Sequence, residues 1–115
     1  MNKEVKSLWV NALRSGEYIQ GHTSLRTNDG HFCCLGVLCD LYMIETGIGQ
    51  WRERRFYIKG DESIAALLMD VAIWAGIPTE GKETNPKLGE RDAIGLNDHE
   101  GYTFEQIADE IDKYL

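Results

Sequence analysis

The sequence lacks any long uninterrupted hydrophobic run. The longest apolar stretch extends from Ile64 to Ile77, is interrupted by Asp70, and is shorter than the roughly 20 residues that a helix needs to span a bilayer. The N-terminal residues 1–7 are polar, and no apolar stretch typical of a signal peptide follows them. We therefore expect a soluble, cytoplasmic protein without a membrane partner.

Cysteine is also scarce, and its number is odd. The three cysteines, Cys33, Cys34 and Cys39, lie within seven residues of one another, and an odd number without an export signal argues against a disulfide scaffold. Adjacent Cys33 and Cys34 would face opposite sides of a strand, and none of the usual zinc-ligand spacings is present. We expect no metal site, and we expect Cys39 to pack as a small apolar side chain.

Basic residues are outnumbered by acidic ones. Twelve Lys and Arg stand against 19 Asp and Glu, which gives a formal net charge of −7. Because phosphate contacts dominate the affinity for nucleic acids, DNA and RNA are not expected as partners. One local group of cations breaks this pattern, at Arg52, Arg54, Arg55 and Lys59; it could hold one small anion or form a solvated strand edge.

The common catalytic motifs are missing as well. The sequence has no glycine-rich phosphate loop, His-Glu-x-x-His, Gly-x-Ser-x-Gly or EF-hand pattern, so no cofactor is expected. Cys33 could share a strand face with His31, but residues two apart on a strand are separated by about 6.5 Å, too far for a clean hydrogen bond. Packing is the favoured role for this thiol.

The apolar spacing predicts an α+β fold in a single globular domain, residues 1–115. Four helices are indicated: 5–13 ending at Ser15-Gly16, 35–46 ending at Gly47, one capped by Asp61 or Ser63 that runs to Gly76, and one opened by a Thr103–Gln106 capping box. Segment 79–90 reads as a loop, and 93–96 as a short strand or a single helical turn.

Two to four short strands complete the prediction. The turn Asn28-Asp29-Gly30 indicates a hairpin of residues 23–27 and 30–34. Alternation would direct one set of side chains to the core (Leu25, Phe32, Cys34) and the other outward (Arg26, His31, Cys33). Residues 51–59 are predicted to form a further strand.

Several polar residues stand in surroundings that favour a binding pocket. Tyr18 and Gln20 lie in a loop before the predicted hairpin, Asp40 lies in an apolar helix, and Asn97-Asp98 lie in a predicted turn. Small-ligand sites combine apolar walls with a few convergent polar groups. The alternative is structural: Asp40 caps a neighbouring backbone segment, and Asn97-Asp98 simply form a turn.

Four motifs resemble a family of small proteins, of unassigned function, that are found widely in bacteriophages. They are Trp9-x-x-Ala12-Leu13-x-Ser15-Gly16-x-Tyr18-x-Gln20-Gly21, Phe32-Cys33-Cys34-Leu35-Gly36-Val37-Leu38-Cys39-Asp40, Trp74-x-Gly76, and Leu96-Asn97-Asp98 with Phe104-x-x-Ile107-Ala108-Asp109. The resemblance covers nearly the whole chain. It departs where Ser63-Ile64 stands in place of a Leu-Pro that often precedes the third helix.

The resemblance implies a viral protein that acts in the host cytosol by trapping a small molecule or by binding a host protein. We expect a non-enzymatic binder that sequesters a nucleotide-derived signal of host antiviral defence, commonly as a homo-oligomer. Its expected ligand-binding residues are Tyr18, Gln20, Arg26, Trp51, Asn97 and Asp98. The alternatives are an inhibitor that binds a host defence protein through its acidic surface, and a small hydrolase or thiol enzyme that uses Cys33 or Asp98.

Overall fold

A computed structural model describes residues 1–115. It contains five helices, α1 (Lys3–Ser15), α2 (Cys34–Thr46), α3 (Met69–Ala75), α4 (Ala93–Asp98) and α5 (Phe104–Tyr114). Seven short strands accompany them: β1 (Gln50–Arg52), β2 (Arg55–Ile58), β3 (Asp61–Ser63), β4 (Leu67–Leu68), β5 (Glu83–Thr84), β6 (Lys87–Leu88) and β7 (Arg91–Asp92). The predicted α+β class is confirmed. No helix has the length and apolar character needed to cross a membrane.

Helix α2 is the centre of the core, as its apolar sequence predicts. Its residues 34–39 are all buried, and α1, α3 and α4 pack around it. Helix α1 buries Trp9, whose Nε1 donates to the Cys34 carbonyl at 2.9 Å, and also packs against the apolar face of α5. In all, 27 buried apolar side chains form one contiguous cluster.

The largest sheet is antiparallel, with the order β1-β2-β3. Phe56 pairs with Ser63 and with Trp51, and Phe56, Ile58 and Ser63 are buried on its inner face. Since side chains alternate along a strand, the outer face carries Arg52, Tyr57 and their cross-strand neighbours. Strands β4–β5 and β6–β7 form two further antiparallel pairs.

The predicted hairpin at residues 23–34 is wrong as a pair of regular strands. The tight turn does form, with the Gly30 N–H donating to the Thr27 carbonyl at 3.0 Å, but only isolated bridges to Phe32 flank it. Cys33 was predicted to face outward and is instead buried, with 5% of its surface exposed. The reason is that Cys33 is the N-cap of α2, where its Sγ accepts from the Gly36 N–H at 3.4 Å.

Two further predictions need correction. Residues 51–59 form two strands rather than one, because the chain turns at Glu53, which adopts a φ of 55°. The third helix begins at Met69, so its predicted caps Asp61 and Ser63 lie in β3 instead. Backbone pairing of β3 with β2 and of β4 with β5 overrides the helical spacing of the apolar residues before Met69.

The region after α3 is also more ordered than predicted. Segment 79–90 contains β5 and β6, and residues 93–96 form a helical turn that continues as α4. Asn97 and Asp98 therefore lie at the end of a helix rather than in a turn. The capping box at Thr103–Gln106 and the helix stops at Gly16, Gly47 and Gly76 are confirmed.

Candidate functional site

Asp40 on α2 is held by donors from two other segments. Tyr18 Oη donates to Asp40 Oδ2 at 2.6 Å, and Trp51 Nε1 donates to Asp40 Oδ1 at 3.0 Å. Burial, followed by the hydrogen bond to Asp40, raises the pKa of the Tyr18 phenol, so it is a donor at neutral pH. The half-buried carboxylate thus links the loop after α1, helix α2 and strand β1.

Aromatic packing surrounds this carboxylate. Phe32 lies edge-on to both Tyr18 and Trp51, with ring centroids 5.1 and 5.7 Å apart. The Arg26 guanidinium lies 5.0 Å from the centroid of Trp51, and Arg26 Nε donates to the Glu53 carbonyl at 2.9 Å. A stacking partner of Trp51 is therefore already supplied by the protein itself.

Asn97 forms a second polar network beneath the surface, and it is fully buried. Its Nδ2 donates to the Gly21 carbonyl at 2.9 Å and to Asp98 Oδ1 at 2.8 Å. Its Oδ1 accepts from Gln20 Nε2 at 3.0 Å and from the Cys34 N–H at 3.2 Å. The amide therefore uses both of its donors and both acceptor positions within the protein.

The six residues predicted to bind a ligand thus fall into two hydrogen-bonded groups rather than one pocket. The Asp40 group includes Tyr18, Trp51 and the stacked Arg26, and the Asn97 group includes Gln20 and Asp98. None of the six lines any of the five main clefts of the surface. Their role in ligand binding stays a prediction, and a ligand that reached either group would have to replace existing contacts.

The cysteines are arranged for packing. All three are buried free thiols, and burial raises the pKa of the Cys33 thiol to about 11. Burial likewise raises the pKa of Cys34 and Cys39, and the Cys34 thiol lies 3.7 Å from the Ala93 carbonyl oxygen. The thiolate is the reactive form of cysteine, so the geometry gives Cys33 no support as a nucleophile. The structure contains no group of three or more His, Cys, Asp or Glu that could hold a metal ion.

The outer side of the three-stranded sheet carries three cations that make no salt bridge. We call Gln50, Arg52, Arg54, Tyr57 and Lys59 the basic hairpin face. The Arg52 guanidinium stacks 4.8 Å from the centroid of the Tyr57 ring. Arg52, Arg54 and Lys59 make no salt bridge, whereas neighbouring Arg55 is paired with Glu62 at 3.2 Å.

Two open clefts meet on this face. One has a volume of about 480 Å³ and is lined by Gly49, Gln50, Arg52, Tyr57, Lys59 and Gly60. The other has a volume of about 360 Å³ and is lined by Arg52, Glu53, Arg54, Arg55, Tyr57 and Ile64. Both volumes lie within the range of small-molecule sites, about 300–1,000 Å³, and the stacked Arg52–Tyr57 pair borders both clefts.

The basic cluster was visible in the sequence, but its residues were not among those predicted to bind the ligand. The missing information was the position of Glu62, which lies across from Tyr57 in the sheet and forms its ion pair with Arg55, so that the other cations make no salt bridge. Trp51 was predicted as a ligand residue, yet it lies on the inner side of β1, opposite the buried Phe56. Its neighbour Arg52 lies on the outer side.

Comparisons with known proteins identify the chain only at the level of a family. A family model described as "Domain of unknown function (DUF8296)" matches residues 1–115. No curated protein and no solved structure matches the chain.

Proposed function

The chain belongs to the family described as Domain of unknown function (DUF8296), and we propose that it is a non-enzymatic binder of a small, anionic, nucleotide-derived ligand. The observation that carries this proposal is the set of unpaired cations around the Arg52–Tyr57 pair. Guanidinium groups bind phosphate through paired hydrogen bonds. Gln50 adds an amide, and Lys59 adds a third cation, at the larger cleft.

The charge of the whole protein favours a small ligand over a polyanion. Residues 50–60 contain four basic residues and one acidic residue, within a chain of net charge −7. Beyond about 10 Å, charges on the surface are largely screened at physiological salt. A small anion at this face would therefore be attracted by nearby cations, whereas a long nucleic acid would also meet the acidic remainder of the surface.

The biological setting of the proposal comes from the resemblance to bacteriophage proteins. In that setting the protein acts in the host cytosol as a homo-oligomeric sponge and withholds a nucleotide signal from an antiviral defence. A binder of this kind needs affinity and no turnover, and the face offers it cations, an amide and an aromatic ring. Sequestration then depends on the amount of protein relative to signal.

A second candidate is an inhibitor that binds a host defence protein directly. Helix α5 exposes Glu105, Asp109 and Asp112 in an acidic chain, and such a surface would attract a basic partner. Arg14 already pairs with Asp109 and Asp112 at 2.7 and 3.2 Å. Part of this acidic surface is thus neutralised within the protein, so the first candidate is favoured.

The experiment is a thermal-shift screen of the protein against linear and cyclic nucleotides and ADP-ribose derivatives. A ligand at 100 times its Kd adds about 2.7 kcal/mol of stability. Each stabilising mixture is then denatured, and the released compound is identified by mass spectrometry. Recovery of the intact compound supports a binder, recovery of a product contradicts a non-enzymatic role, and the absence of any shift contradicts the small-ligand proposal and favours a protein target.

A further inference from the structure

We propose that the ligand of the basic hairpin face is a dinucleotide that places one phosphate on each side of the Arg52–Tyr57 pair; this inference rests on the proposed function. The two clefts share only Arg52 and Tyr57. The stacked pair therefore forms a ridge between two sites, and Arg52 lies where it can contact anions on both sides.

Each cleft has a cation that the other lacks. Lys59 lines the larger cleft, Arg54 lines the smaller one, and neither makes a salt bridge. The larger cleft also has Gln50, and the smaller one has Arg55, whose charge is offset by Glu62. The face thus offers two phosphates three cations that make no salt bridge, with the shared one in the middle, against one carboxylate, Glu53, in the smaller cleft.

The spacing of the two outer cations favours a ligand with separated charges. Arg54 and Lys59 lie just beyond the two ends of the four-residue strand β2 and line different clefts. A single phosphate group in one cleft therefore meets only one of these two cations. Two phosphates in one molecule can engage both ends, and joining two weak contacts in one molecule raises the affinity through effective concentration.

The aromatic ring adds a reason for nucleotides in particular. Tyr57 is half-buried, and Arg52 stacks on it as a planar cation. Because Arg52 already covers one face of the Tyr57 ring, a base is expected to stack on the exposed plane of the Arg52 guanidinium. A dinucleotide therefore supplies both of the chemical groups that the ridge can recognise, whereas inorganic anions supply only charge.

The test is isothermal titration calorimetry of the full-length protein with adenine and guanine cyclic dinucleotides and with the matching 5′-mononucleotides. The best dinucleotide is expected to bind at least about tenfold more tightly than the best mononucleotide. Lys59→Gln and Arg54→Gln should each lower the affinity for the dinucleotide by about tenfold. For any one mononucleotide, at most one of the two substitutions should lower the affinity. Lys3→Gln on α1 makes the same charge change as Lys59→Gln and should leave every affinity unchanged.

The outcomes separate this inference from the proposed function. Equal affinities for mononucleotides and dinucleotides, or a dinucleotide affinity that depends on only one of Arg54 and Lys59, would overturn the two-phosphate inference and leave the binding proposal standing. If no nucleotide of either class binds the wild-type protein, both fail. The three substituted side chains are exposed, and circular dichroism of each variant confirms that the fold is retained before affinities are compared.

Discussion

Replacing Asn97 with Ala should destabilise the protein strongly, because one buried amide serves three segments of the chain. The amide satisfies the Cys34 N–H at the start of α2 and the Gly21 carbonyl in the preceding loop, and it also accepts from Gln20. The side chain of Asn97 is fully buried. Ala offers neither donor nor acceptor, and the vacated volume is small.

The expected magnitude follows from the two backbone groups that lose their partner. Neither the Cys34 N–H nor the Gly21 carbonyl has another hydrogen-bond partner, and each buried polar group left unsatisfied costs about 1–3 kcal/mol. We therefore expect Asn97→Ala to lower the free energy of unfolding by about 2–6 kcal/mol. For a chain of this size that corresponds to a fall in Tm on the order of 10–20 °C.

The assay is urea denaturation followed by tryptophan fluorescence, with Asn11→Ala as the matched control. Asn11 is exposed on α1 and donates or accepts no side-chain hydrogen bond, so its replacement should change stability by less than about 0.5 kcal/mol. If Asn97→Ala and Asn11→Ala have the same midpoint, the Asn97 network does not hold the loop, α2 and α4 together, and the structural interpretation of this residue is refuted.

Three further predictions concern the core, a helix cap and the thiols. Gly36→Ala would place a Cβ 1.8 Å from the Leu25 carbonyl oxygen. Although Ala normally favours a helix, this clash should lower the free energy of unfolding, measured by urea titration, by at least about 1–3 kcal/mol. A variant more stable than the wild-type protein would contradict this packing. The Gly95 N–H donates to Asp92 and lowers the pKa of that carboxyl in the folded protein. The ionised carboxylate therefore stabilises the fold above the pKa that Asp has in the unfolded chain, and this stabilisation is lost as the pH falls through the lowered pKa of the folded state. Asp92→Asn should accordingly flatten the loss of stability below about pH 4, and an unchanged pH profile would show that this cap is not involved. Because burial raises the pKa of Cys33 to about 11, none of the three thiols should react with Ellman's reagent at pH 8 until the protein is unfolded, and rapid reaction of one thiol in the native protein would contradict its burial.

The helices that end in glycine could be predicted because their boundaries depend on local chemistry. Gly16, Gly47 and Gly76 all adopt φ between 70° and 79° at the ends of their helices, a conformation that glycine adopts without a steric cost. The capping box at Thr103 is equally local. These signals need no information from distant segments, which is why the sequence alone was enough.

The segment before α3 could not be predicted in the same way. Ile64, Leu67, Leu68 and Val71 have helical spacing, yet Leu67 pairs with Thr84 and Ser63 pairs with Phe56 in short antiparallel ladders. Backbone partners from elsewhere in the chain decided the outcome, and intrinsic periodicity carries no information about them. Cys33 was misplaced for a related reason, since a thiol is an uncommon N-cap.

The candidate site shows the same limit. The sequence predicts that Tyr18, Gln20, Asp40 and Asn97 belong to a polar binding pocket. In the structure, all four have hydrogen-bond partners from within the protein. A sequence pattern indicates that a buried polar group must be satisfied, but it does not distinguish an internal partner from a ligand. The free cations of the basic hairpin face emerged only from the folded structure, in which Glu62 forms its ion pair with Arg55 alone.

The position of the ligand is measured directly by a ¹⁵N–¹H correlation spectrum of the protein, recorded during titration with the tightest-binding nucleotide. We predict that the largest amide shift changes fall between Gly49 and Gly60, at the basic hairpin face, and that Lys59→Gln needs about tenfold more nucleotide to reach the same changes. Changes centred instead on Gln20, Gly21 and Asn97 would contradict it and would place the ligand in the buried polar network.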